Sequence, residues 1–229
     1  MEKILKRRPV GMVILALGAV LLMLTVVQSG SSFFSPRAVT TIAEVETVSS
    51  NGGGAYRPFT RTEFVYSTFS GLYLSDDDGS PAVWVMWGVL EDGWVCFYLP
   101  ADGKDINGDG IYDTDDAPAD QWNVEFILRA AQGSYHEHSR WVLEQSIADN
   151  AAYYDVDESE IKSLFADGVL ETGRAALLVT RIAFGVGIFL LILGAALLML
   201  PPSVDLTPWR RPVEEPDTDP EELEPSDVE

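Results

Sequence analysis

Two stretches of the chain lack the polar interruptions that mark the outer face of a soluble helix. Pro9–Val27 reads PVGMVILALGAVLLMLTVV and Ile182–Leu200 reads IAFGVGIFLLILGAALLML, nineteen residues each without a charge. At ~1.5 Å rise per residue each reaches about 28 Å, close to the ~30 Å hydrocarbon thickness of a bilayer. The pattern predicts one transmembrane helix over 9–28 and a second inside a longer helix over 174–200. Gly11 and Gly18 in the first stretch and Gly187 and Gly194 in the second are seven apart. Two turns separate each pair, so each lies on one helix face, where small residues let backbones approach closely.

Between these stretches the period falls to two. Ala38–Val48 and Phe59–Phe69 read as strands flanking the turn-rich Ser49–Gly54, and Gln121–Ala130 reads as another. The clearest unit is VWVMWGVLEDGWVCFYL, Val83–Leu99. Asp92-Gly93 suits a two-residue type I′ turn, which sets Glu91 opposite Trp94 and Leu90 opposite Val95. One hairpin face then carries Trp84, Met86, Leu90, Val95, Phe97 and Leu99. The other carries Val85, Trp87, Val89, Trp94, Cys96 and Tyr98. Both are apolar, so the hairpin is expected to be central or covered on its second side by a helix, the membrane surface or a partner.

The pattern turns helical after the strands. Ser139–Ala151 spaces Leu143 and Ile147 four apart. Asp157 and Glu160 form an acidic capping box leading into Ile161, Leu164 and Phe165, with Gly168 as the residue past the helix end. Gly173 marks the join to the second long apolar helix. Strands followed by helices argue an α+β domain over 29–173.

Charge orients the arrangement. Lys3, Lys6, Arg7 and Arg8 precede the first apolar stretch and Arg210 and Arg211 follow the second, which places both termini in the cytoplasm and the domain outside the cell membrane. Arg181 is positioned to snorkel to the outer interface. A cleaved signal peptide is the alternative reading of residues 1–28. The Pro- and acid-rich tail, 201–229, has too little apolar surface to fold and reads as disordered.

The whole chain carries 36 acidic and 15 basic side chains, a net charge of −21, yet 47% of it is hydrophobic. That combination excludes a wholly disordered acidic chain and the usual nucleic-acid binder, which needs clustered Lys and Arg. Residues 29–181 alone hold 25 acidic and nine basic side chains. Such a carboxylate-coated surface suits a halophilic protein, since high salt screens its self-repulsion.

The strongest chemical signal is DINGDGIYDTDD, residues 105–116. Asp105, Asn107, Asp109, Asp113 and Asp116 fall at loop positions 1, 3, 5, 9 and 12, with the Ile111 carbonyl at position 7 and Gly110 at the sharp turn. The segment resembles the EF-hand-type calcium loop of dockerin modules, in which Asp at position 12 is usual. The resemblance covers twelve residues, without a second loop or a preceding helix, so it implies calcium ligation and not cohesin binding. A calcium ion held there is expected to brace the domain. His136 and His138 would share a face if they lay on a strand, but a third metal ligand is lacking. Cys96 is the only cysteine and reads as a buried, inert thiol. No GxSxG, phosphate loop or dinucleotide fingerprint is present.

The plan of span, β-rich loop with a Gly-rich turn, and span resembles uncharacterised two-span membrane families through Val45–Tyr66. The reading this supports is a non-enzymatic membrane protein, an accessory or interaction subunit with a membrane-protein partner or a second copy of itself. A membrane-tethered metal-dependent hydrolase and a membrane sensor are the alternatives.

Overall fold

The computed structural model describes residues 2–51, 54–75, 79–103 and 113–199. Six strands form one sheet: β1 (Arg37–Val39), β2 (Thr60–Ser75), β3 (Pro81–Val89), β4 (Trp94–Pro100), β5 (Gln121–Ala130) and β6 (Phe165–Thr172), in the order β1-β2-β3-β4-β6-β5. β5 also pairs with the first half of β2, from Thr60↔Leu128 to Ser67↔Gln121, so five strands close into a barrel. β5, β2, β3 and β4 make an antiparallel Greek key. β6 slots between β5 and β4, parallel to β4. A parallel neighbour needs a crossover, here α3 (Ser134–Tyr154) and α4 (Glu158–Lys162). The α+β class thus holds, with the elements interleaved and the last strand following the helices.

The central hairpin is β3–β4, and both of its apolar faces are covered. Trp84, Met86, Leu90, Val95 and Phe97 face the barrel interior, packed with Phe64, Leu128 and Leu170. The Phe64 ring stacks on Phe97 at 5.3 Å between centroids. Val85, Cys96 and Tyr98 point outward beneath Val142, Ile147 and Ala151 of α3. At these three positions the second face is covered from within the chain, and Trp94, at its end, is only partly buried.

The register differs from the expected one. Val89 pairs with Trp94 and Gly88 with Val95, and the Leu90 N–H donates to the Gly93 carbonyl at 2.7 Å. The corner is thus Glu91-Asp92, one residue earlier than the Asp-Gly signal suggests. Tertiary contacts explain the shift. Both Asp92 carboxylate oxygens accept from the Ile42 N–H, at 3.1 Å each, while Gly93 (φ +157°) lies so close to Ile42 and the Leu164 carbonyl that a Cβ would clash at 2.2 and 2.3 Å. Each cross-strand partner moves by two residues, which preserves every side chain's face.

Two other expectations are corrected. Ala38–Val48 is not one strand: after β1 the chain forms α2 (Ile42–Ser49), with Thr41 as N-cap and Val45 and Val48 buried in the barrel core. Alternating Ala-Glu-Val-Glu-Thr-Val mimics a strand, but helical spacing is what delivers Val45 and Val48 to the core. In the second case the helix begun at Asp157 stops at Lys162, and Phe165, Gly168 and their neighbours belong to β6. Gly168 (φ +127°) sits in an irregular stretch where β4 advances from Trp94 to Cys96 while β6 advances from Phe165 to Val169. α2 secures that stretch: the Asp167 N–H donates to Glu46 Oε1 at 3.1 Å and the Ser49 hydroxyl to the Asp167 carbonyl at 3.0 Å.

α1 (Glu2–Ser29) and α5 (Arg174–Met199) are long and apolar enough to cross a membrane. They run antiparallel, with Gly11 against Gly194 and Gly18 against Gly187. A Cβ on Gly18 would lie 2.9 Å from the Gly187 carbonyl oxygen and a Cβ on Gly194 2.7 Å from the Leu15 nitrogen. The glycine faces expected from their spacing are therefore spent on each other. α1 extends through Pro9 towards the N-terminus, and the tail from residue 200 lies outside the described residues.

Candidate functional site

The barrel end nearest the helix pair holds a buried charge cluster. Arg57 and Arg129 converge on Glu171 at the end of β6, with Nη1 of Arg57 and Nη2 of Arg129 at 3.6 and 2.7 Å from Oε1. Burial, reinforced by the neighbouring Arg129, lowers the affinity of Arg57 for its proton, and Glu171 opposes that shift. Two guanidinium groups on one carboxylate leave a surplus positive charge. Next to them the Gly173 N–H donates to the Ile127 carbonyl at 2.7 Å, and Phe33, Phe59 and Leu177 form a small core with Phe184. Arg181 is held at this junction. Its Nε–H donates to the Phe33 carbonyl at 2.7 Å and its Nη2 to that of Phe34 at 3.2 Å, tying the loop after α1 to α5.

β6 leads through Gly173 into α5, and β4 runs parallel to it, so Trp94 and Phe165 mark the barrel end remote from the apolar helices. An open cleft of about 590 Å³ lies there, between the α3–α4 junction and the starts of β4 and β6. Trp94, Tyr154, Val156, Ile161, Leu164 and Phe165 line it. Tyr154, Val156 and Leu164 are exposed in it at 55%, 39% and 45%. Asn150, Glu160 and Ser163 complete its lining, so the apolar strip is edged by polar side chains.

Of the six expected calcium ligands, Asp105, Asn107, Asp109 and Ile111 lie outside the described residues. The other two are together. Asp113 caps the 3-10 turn Thr114–Asp116, its carboxylate accepting from the Asp115 N–H at 2.9 Å. Asp116 is 2% exposed and returns an oxygen to the Asp113 N–H at 3.2 Å. The two carboxylates thus close a capping box on this turn, and a hard cation here would need oxygens from both residues.

The two histidines do not converge. They open α3 rather than lying on a strand, so positions two apart point to different sides, and His138 Nδ1 is 2.6 Å from the Ser134 carbonyl. Among the described residues no three His, Cys, Asp or Glu side chains could hold one metal ion. Cys96 is buried, with its sulfur 3.6 Å from the Ser146 hydroxyl, and burial pushes its pKa up to about 12. The Trp87 Nε1–H donates to the same hydroxyl at 3.1 Å.

No protein-family model, curated protein or solved structure matches this chain. Sequence reasoning missed the remote cleft because its walls come from segments 60 residues apart. The local hint is the apolar pair Leu164–Phe165, which by sequence alone reads as a helix face.

Proposed function

We propose that the chain is a non-enzymatic accessory subunit of a membrane assembly. In this reading α1 and α5 cross the cell membrane with both termini in the cytoplasm, and the calcium-braced barrel stands outside with a halophilic, carboxylate-rich coat. The remote cleft carries the proposal: exposed Tyr154, Val156 and Leu164, backed by Trp94 and the buried Phe165, form a concave apolar strip on an acid-rich domain. The junction at the barrel base supports it further: the Arg57 N–H donates to the Gln28 carbonyl of α1 at 2.6 Å, and Phe33 and Phe59 pack with Leu177 and Phe184 of α5, which ties the barrel to the helix pair.

Purification from gently solubilised membranes tests the reading. The expected result is a stoichiometric companion chain, or a dimer of this one, lost in a Leu164→Glu variant that still folds. A clean monomer, or a companion that Leu164→Glu leaves in place, would overturn it. Protease added to sealed cells should digest the barrel and spare the termini; the reverse would sink the orientation.

A further inference from the structure

A cleft of about 1220 Å³ opens at the other end of the barrel, between β5, the loop at Phe34–Pro36 and the first two turns of α5. Its charged lining consists of Arg61, Arg174, Arg181 and Glu125. Arg61 Nε and Glu125 Oε2 are 3.6 Å apart and both side chains are about half exposed, 49% and 46%, so that pair is weak. The N–H groups of Arg181 go to neutral carbonyls, which leaves its charge uncompensated, and Arg174 makes no ion pair among the described residues. The cleft is therefore positive in a segment that is strongly negative overall. Its lower wall is apolar: Phe34 is 61% exposed and Leu178 60%, and Leu178 continues onto the bare outer face of α5 through Val179 and Ile182.

We propose that this cleft holds the anionic headgroup of an outer-leaflet phospholipid, with its acyl chains running down α5 past Phe34 and Leu178. Arg174 and Arg181 neutralise the phosphate, and Arg61 turns from Glu125 towards it. The charge pattern selects an acidic headgroup over a zwitterionic one. The apolar floor selects a lipid over a free phosphate, which would leave Phe34 and Leu178 in water. The inference rests on reading α1 and α5 as membrane spans, and it adds a lipid to that assembly as a specific component.

Full-length protein in mixed micelles with equimolar phosphatidylglycerol and phosphatidylcholine, followed by native mass spectrometry of retained lipid, tests it. Phosphatidylglycerol should be favoured, about fivefold for each uncompensated arginine. Arg174→Gln should cut the preference about fivefold, and Arg140→Gln, on α3 and away from the cleft, should leave it unchanged. Glu125→Gln should raise it by freeing Arg61, a gain that misfolding cannot imitate. Equal retention of the two lipids, an unaltered preference in Arg174→Gln, or full displacement of the lipid by millimolar inorganic phosphate would overturn the proposal. Alkaline extraction of native membranes separates the two readings. Release of the chain would sink the spans themselves, whereas a chain that stays in the membrane but shows no lipid preference would sink the lipid site alone.

Discussion

Cys96 and Glu171 are buried residues with opposite consequences. Cys96 lies in a buried layer between β4 and α3, where desolvation pushes its pKa up to about 12. At pH 8 the native thiol is thus fully protonated and walled off, and iodoacetamide should label it only after denaturation. Rapid labelling of the folded chain would show that α3 lifts from the barrel. Among the described residues Glu171 is the carboxylate shared by Arg57 and Arg129, and its side chain is only 10% exposed. Glu171→Gln leaves two guanidinium groups without a counter-charge and should cost about 3–5 kcal/mol. Adding Arg57→Met should recover part of that loss in the same denaturation measurement, since it removes one uncompensated cation.

At the scale of elements, the glycine pairs set how closely α1 and α5 approach. Gly18→Leu drives a side chain into the Gly187 carbonyl and the Leu191 nitrogen, both 2.9 Å from an ideal Cβ. It should destabilise the helix pair by about 1–3 kcal/mol, read as a lower melting temperature in detergent. Gly185→Leu is the contrast, because a Cβ there meets nothing within 4 Å, and its melting temperature should match the parent's. The β3–β4 hairpin obeys the same rule of close approach. Gly88 has the Phe64 ring 2.5 Å from where a Cβ would be, so Gly88→Val should unfold the barrel while leaving α1 and α5 helical by circular dichroism.

For the whole molecule, calcium is the brace to test. Saturating the 105–116 loop at about 100 times its dissociation constant should add about 2.7 kcal/mol, seen as a rise in melting temperature. Asp109→Ala should abolish the rise and leave the calcium-free protein unchanged. A melting temperature insensitive to calcium in both proteins would remove the brace. The 25 carboxylates of residues 29–181 set a second expectation: melting temperature climbs with salt as self-repulsion is screened.

The two long apolar helices, the faces of the β3–β4 hairpin and the buried thiol were legible in the sequence, because each depends on the local period of apolar residues or on the surroundings of one side chain. The glycine spacing was legible too, though not its use, since a stripe of small residues does not name the helix that meets it. α2, β6 and the turn at Glu91-Asp92 were decided by contacts distant in sequence: Ile42 reaching Asp92, Ser49 reaching Asp167, and β6 entering between β4 and β5. Closure of the barrel, the covering of the hairpin by α3, and the two clefts at opposite ends belong to the tertiary structure for the same reason. Local pattern fixes which side of an element is apolar, and only the packed chain determines what that side meets and which apolar or charged surface is left over.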